Sequence, residues 1–355
     1  MSRFGNFGAA LYRGEMSYNF VGRRKLLYSI SAGLLLISAV GLFGRGLNLG
    51  IEFRGGAEFQ VKSASGTVEQ ARAVAQEAGI DTTIVTKLND NRLRVQTPEL
   101  SEQQRNDVIN KLAAKFSVPA NEVQVQLIGP SWGEDITRKA ITALWAFLAL
   151  VSVFLAIVFE WRMAIAALVA LFHDVVITVG VYALTGFEVT PSTVIGVLTI
   201  LGYSLYDTVV VFDKVNENTR KIERQNRFSY SYAANLALNQ TLVRSINTSI
   251  VALLPVAAIL GIGAGILGAG TLRDLSLALF VGMLIGTYSS IAIATPVLAQ
   301  LKERQPEMKA LAKRVTNKAH HVDSQREAAA PTPARVVVTE TGPRNQPRRK
   351  PRSKR

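Results

Sequence analysis

A chain of 355 residues with no cysteine and three histidines excludes a disulfide-stapled module, a thiolate metal centre and a histidine-rich one. It is 48% hydrophobic with a mean hydropathy of +0.21, and its apolar residues clump into long runs, which marks an integral membrane protein. The net charge of +14 does not mark a nucleic-acid binder, because residues 301–355 hold 15 Lys and Arg against 5 Asp and Glu and supply +10 of it.

Residues 1–25 carry Arg3, Arg13, Arg23, Arg24 and Lys25 against Glu15, and Leu26 to Phe43 is uncharged. That order predicts a cytoplasmic N-terminus and a first span over 26–45. No small-x-small site follows the run, so it is expected to stay in place rather than be cleaved as a leader.

Residues 46–135 are polar, with 9 Lys and Arg against 12 Asp and Glu. Their periodicity predicts strand 49–61, helix 68–78, strands 82–88 and 92–96, helix 102–116 and strand 122–128. Thr67 with Gln70 and Ser101 with Gln104 form capping boxes at the two helix starts, and Asn89-Asp90-Asn91 reads as a hairpin turn. The order βαββαβ is the ferredoxin-like unit, expected outside the membrane.

Five further spans are expected at 138–159, 163–186, 189–212, 241–268 and 274–299, with a cytoplasmic loop over 213–240. Six spans put both termini on one side. With the termini inside, inner segments hold 27 Lys and Arg and outer ones 13, which favours that orientation. Pro255 and Pro296 are expected to kink the last two spans, and the glycine-rich run Gly261–Gly270 to form an outer turn. Residues 300–355, with half of the chain's 12 prolines, read as a disordered basic tail, either solvated or drawn to anionic lipid or another polyanion.

Two spans hold a carboxylate. Asp174 lies eleven residues into its run, about 16 Å from the edge and so near mid-bilayer, while Asp207 lies nearer the inner leaflet. An ionisable group there costs about 3 kcal/mol on insertion scales and reads as functional by default. Gly196, Thr199, Tyr203, Asp207 and Val210 make a small, polar face. Arg244, with Thr241, Asn247 and Thr248 near it, is the basic residue placed to pair with Asp207. Burial and a guanidinium act oppositely on such an acid, which suits a proton carrier; a static buried pair fixing helix order is the alternative. His173 reads as a packed neighbour of Asp174.

The runs GIEFRGG (Gly50, Glu52, Phe53, Gly55, Gly56), EWR (160–162), LFHDVVIT with His173 and Asp174, GYSLYDTVVVFDKVNEN with Gly202, Tyr203, Asp207 and Thr208, and LNQTLVRSINTSIVALLP with Arg244 and Asn247 together resemble the SecF family of the bacterial SecD/SecF complex. The resemblance spans about residues 20–300. It implies a polytopic α-helical half of the resistance-nodulation-division (RND) type, with six spans and a ferredoxin-like domain after the first. It also implies a multi-pass protein of the bacterial plasma membrane with cytoplasmic termini, no cofactor and no enzymatic activity. Working with SecD, such a subunit uses the proton-motive force to promote late preprotein translocation through SecYEG, with SecA acting indirectly and YajC associated. The resemblance assigns proton coupling to Asp207, Arg244 and Asp174. Two departures stand out: Glu52 replaces the usual Asp, and Tyr206 precedes Asp207 where Asn is common. A half-size RND exporter of lipids or small molecules is the competing transport reading. An intramembrane aspartyl protease lacks its GxGD motif here.

Overall fold

The structure, a computed structural model, describes residues 17–63, 65–80, 83–88, 91–225, 227–263 and 270–329. Helix α1 (Arg24–Gly44) is the first of six helices long and apolar enough to cross a membrane. Then come a two-residue strand β1 (Asn48–Leu49), a single turn α2 (Ile51–Arg54) and strand β2 (Gly56–Lys62). The strand expected over 49–61 is therefore interrupted by the GIEFRGG run. Gly55 and Gly56 take φ of 74° and 134°, and a Cβ on Gly56 would lie 2.2 Å from the Thr97 carbonyl oxygen, so only glycine fits.

Helix α3 (Val68–Glu77), strands β3 (Ile84–Lys87) and β4 (Arg92–Thr97), helix α4 (Glu102–Phe116) and strand β5 (Gln124–Ile128) complete this region. Strand order β3-β4-β2-β5, antiparallel throughout, is the ferredoxin-like arrangement. Both capping boxes form, at Thr67/Gln70 and Ser101/Gln104. Alternation on the strands sends Phe59, Val61, Leu93 and Val95 into a core with Val74, Val108 and Leu112, and leaves the other face polar. Asn89 and Asp90 of the expected hairpin lie outside the described residues; Asn91 has φ 60°.

Helix α5 (Pro130–Val158) starts eight residues before the expected second span. Gly129 supplies an extended cap, Pro130 opens the first turn, and the charges that argued for a later start sit on the helix surface, Asp135 pairing with Arg138 at 2.5 Å. Helix α6 (Trp161–Thr185) leads to strand β6 (Glu188–Val189), which pairs in parallel with β1. Helix α7 (Pro191–Thr219) and helix α8 (Tyr230–Ala258) overrun the loop expected at 213–240 and leave ten residues between them. The apolar face Tyr230, Ala233, Ala234, Ala237 and Leu238 is buried, which is why α8 begins so early.

Helix α9 (Gly270–Ser289) continues through a π turn, Ser290–Ala294, into α10 (Thr295–Glu303). A second π turn, Ile259–Gly263, follows α8. Of the two prolines expected to kink a span, Pro296 follows the turn at Ser290–Ala294, where its ring without an N–H interrupts the i→i−4 ladder, and Pro255 lies inside α8 one turn before the other. Gly261–Gly263 belong to that π turn, and residues 264–269 of the expected outer turn lie outside the described residues.

Within this chain α6, α7 and α9 are the inner helices, while α1, α5 and α8 leave most of their surface open to lipid or a partner. The close approach of α9 to α7 rests on Gly282 and Gly286: a Cβ on Gly286 would sit 2.9 Å from the Cβ of Ser204. The basic tail is not disordered from residue 300. Residues Pro306–Ala329 form helix α11, and Met308 and Leu311 join the membrane core because their i, i+3 spacing makes one apolar face. Residues 330–355 lie outside the described residues.

Candidate functional site

Asp207 is 6% exposed at the meeting of α7, α8 and the π turn after α9. Two hydroxyls donate to it: Ser245 Oγ from α8 to Oδ1, and Ser290 Oγ to Oδ2 at 2.5 Å. One turn earlier on α7, Ser204 Oγ donates to Asp174 Oδ2 at 2.6 Å, and His173 Nδ1 lies 3.2 Å from Asp174 Oδ1. Asp174 is 1% exposed. The two carboxylates therefore belong to one buried polar seam.

The seam continues on both sides. Thr178, one turn along α6 from Asp174, and Thr295, following the π turn, are buried and their hydroxyls find no partner among the described residues. Tyr203, half-buried, donates to Ser249 Oγ at 3.2 Å, and Thr287 Oγ1 donates to the same oxygen at 2.8 Å. Thr208 is buried beside Asp207, whereas Gly202 is exposed.

Arg244 does not pair with Asp207. It is exposed, and its guanidinium donates to the Tyr206 hydroxyl at 3.2 Å. The reason is helical phase. The face that α8 turns inward is Thr241, Ser245 and Ser249 at i, i+4, i+8, and Arg244 stands about 100° off it, with Asn247 also exposed. The inward face of α7 is likewise Gly196, Ile200, Ser204, Asp207 and Val211, and Thr199 of the expected face is exposed. Sequence reading put both acids in apolar helices and missed the serines that hold them, Ser245 and Ser290 for Asp207 and Ser204 for Asp174. The four-residue spacing of Thr241, Ser245 and Ser249 was the available signal.

A serine hydroxyl donates to a carboxylate and can accept from a carboxylic acid. Hydroxyl partners thus suit both protonation states of Asp207, which a guanidinium does not. The GIEFRGG residues lie elsewhere, at the ends of the helices that the αβ region joins. The N–H of Gly50 donates to the Val189 carbonyl at 2.9 Å, and Gly133 of α5 lies close enough that a Cβ would come 2.8 Å from the Phe53 carbonyl oxygen.

Comparison with known proteins agrees with this architecture. Residues 108–304 match the family model for the C-terminal part of the protein export membrane proteins SecD/SecF, and residues 40–65 match the SecD/SecF GG motif. The chain is 52% identical to the protein translocase subunit SecF of Streptomyces coelicolor, covering 98% of this chain and 96% of that one. It is 37% identical to the SecF of Mycobacterium tuberculosis over 95% of this chain and 77% of the other. The crystal structure of SecDF from Thermus thermophilus superposes with a TM-score of 0.73 at 31% identity, over 81% of this chain. The chain spans 39% of that SecDF chain.

Proposed function

The chain belongs to the SecD/SecF family and is a multi-pass membrane subunit of Sec-pathway protein translocation, and from that premise we propose that proton uptake and release at Asp207 drives its part in export. The observation that carries this reading is a carboxyl buried in a membrane helix and held by two hydroxyls, with the nearby cation turned outward. Moving one charge through 100 mV supplies about 2.3 kcal/mol, so a few protons per cycle are enough to drive a conformational change.

SecD is its partner, as the SecDF relatives indicate. Tyr206 and Arg244 are exposed on helices that span the bilayer, where an uncovered guanidinium is costly. SecD covers this face in the working complex and completes the surroundings of Asp207 with groups of its own. Asp174 is the second station of the seam. The complex acts beside SecYEG on preproteins delivered by SecA, with YajC associated. It sits in the bacterial plasma membrane with both termini cytoplasmic, an orientation supported by the 27 to 13 division of basic residues.

The test is reconstitution with SecD in vesicles and measurement of proton flux and of the carboxyl infrared band. Asp207→Asn is expected to remove both the flux and the band's pH response. A wild-type chain whose Asp207 stays ionised at every working pH overturns the assignment.

A further inference from the structure

Both α7 and α9, which meet around Asp207, begin under the polar face of the β2–β5 sheet. The turn that carries Glu188 leads directly into α7, and Asp274 lies near the start of α9. The sheet answers with Glu58 on β2 and Arg94 and Gln96 on β4, all at positions that alternate with the core residues.

Arg94 Nη1 lies 2.6 Å from Glu188 Oε2, and Arg94 Nε lies 3.2 Å from Glu58 Oε1. Gln96 Nε2 reaches the same two acids, at 2.5 Å from Glu188 and 3.1 Å from Glu58. The Arg94 side chain is 14% exposed, Glu188 15% and Glu58 8%. A cavity of about 460 Å³ opens beside them, and Glu52 and Asp274 line it with the three charged residues already named and Arg92. Four carboxylates thus face two guanidiniums. Arg273 adds its charge next to Asp274.

We propose that Arg94 is the coupling residue that carries the protonation cycle at Asp207 to the ferredoxin-like region, by clamping Glu58 of the sheet to Glu188 at the head of α7. The inference rests on the proton-carrier reading of Asp207. From Pro191 to Asp207 helix α7 spans about 24 Å at 1.5 Å per residue, a rigid rod with the acid at one end and the clamp at the other. A shift of α7 against α9 at Ser290 alters the spacing of Glu188 and Asp274 near the starts of those helices. Arg94 pairs with Glu188 in the turn that enters α7, and Asp274 near the start of α9 lines the same cavity, so a shift of the helices lets the guanidinium exchange one acid for the other. A fork-shaped cation makes that exchange stepwise, because its hydrogen bonds depend on geometry.

The chain has no cysteine, so a label pair is introduced cleanly by Glu69→Cys on α3 and Thr185→Cys at the end of α6. In the full chain with SecD in vesicles, the distance between spin labels is measured across a pH step, alongside the carboxyl band of Asp207. The distance is expected to change in the wild-type background and not in Asp207→Asn. Arg94→Gln is expected to abolish the change while the Asp207 band still titrates, and Arg94→Lys to restore part of it, a pattern that a merely structural arginine would not give. Glu188→Gln leaves the sheet's interior untouched and is expected to show the same loss, so a poorly folding Arg94 variant does not end the test. Distance changes of wild-type size in both Arg94→Gln and Glu188→Gln overturn the coupling role alone. An Asp207 band that never titrates overturns the parent reading and the coupling with it.

Discussion

Asp207 and Glu188 are both carboxylates drawn out of bulk water, and they are held in opposite ways. Glu188 meets a guanidinium at 2.6 Å and a glutamine amide, both of them donors only. Asp207 meets two serine hydroxyls, and the cation one residue along α8 from Ser245 bonds a tyrosine instead. An ion pair suits the centre where the αβ region joins the bundle. A carboxyl with neutral partners suits a site that changes charge. The difference follows from which residue stands in phase with the helix interface.

The largest effect expected from this contrast is that of Asp207→Asn, which keeps the shape of the side chain and exchanges one acceptor oxygen for an amide donor that a serine hydroxyl can accept. Proton-driven stimulation of export is expected to vanish while association with SecD is retained, as read by copurification and an export assay. Undiminished stimulation would place the carrier elsewhere. Next, Ser245→Ala with Ser290→Ala removes both donors, each worth about 1.5–3 kcal/mol to a charged group. Export is expected to fall about tenfold for either single variant, and to the Asp207→Asn level for the pair.

Breaking the Arg94 ion pairs adds a stability effect to the loss of coupling. Glu58→Ala leaves Arg94 with one carboxylate fewer in a nearly closed site, and a loss of about 3 kcal/mol is expected from chemical unfolding of the αβ region. Arg244→Leu sharpens the contrast from the other side. Because Arg244 is exposed in this chain, its loss is expected to change the stability of the chain alone by less than about 0.5 kcal/mol, yet to weaken assembly with SecD. A loss of several kcal/mol in the isolated chain would return Arg244 to the interior.

The smallest effect concerns Glu52. Burial pushes its carboxyl above the usual range, its own backbone N–H opposes this, Glu188 and Glu58 push it further up, and Arg94 pulls it back. With its value raised in the folded state, the native chain binds more protons than the unfolded one between the ordinary carboxylate value and the raised one. Stability from this group is present at low pH and is lost as pH rises through the raised value. Glu52→Gln is expected to raise the thermal midpoint by about 2 °C at neutral pH, with the gain vanishing below the ordinary carboxylate range.

Much of this was legible in the residues. Length and polarity of the apolar runs gave all six membrane helices, and period-two alternation with two capping boxes gave the ferredoxin-like order. Helix ends were less legible, as at Pro130 and Tyr230, because a helix persists into water wherever its next turn finds a surface to cover. Met308 and Leu311 show the same thing in a segment whose composition reads as disordered. At the site, the sequence disclosed an acid and a base on adjacent spans, but proximity in pattern is not contact.

From its order of residues alone the chain determined that it spans a membrane, that an αβ unit follows the first span, and that Asp207 lies inside the apolar layer. Those outcomes depend on local hydrophobicity and periodicity, which a linear string carries in full. Only the packed bundle decided that serines rather than an arginine hold the acid, and that Arg94 joins Glu58 to a residue 94 positions away. Rotational phase between helices and the meeting of distant turns are settled by how side chains fill space together, and no single segment contains that information.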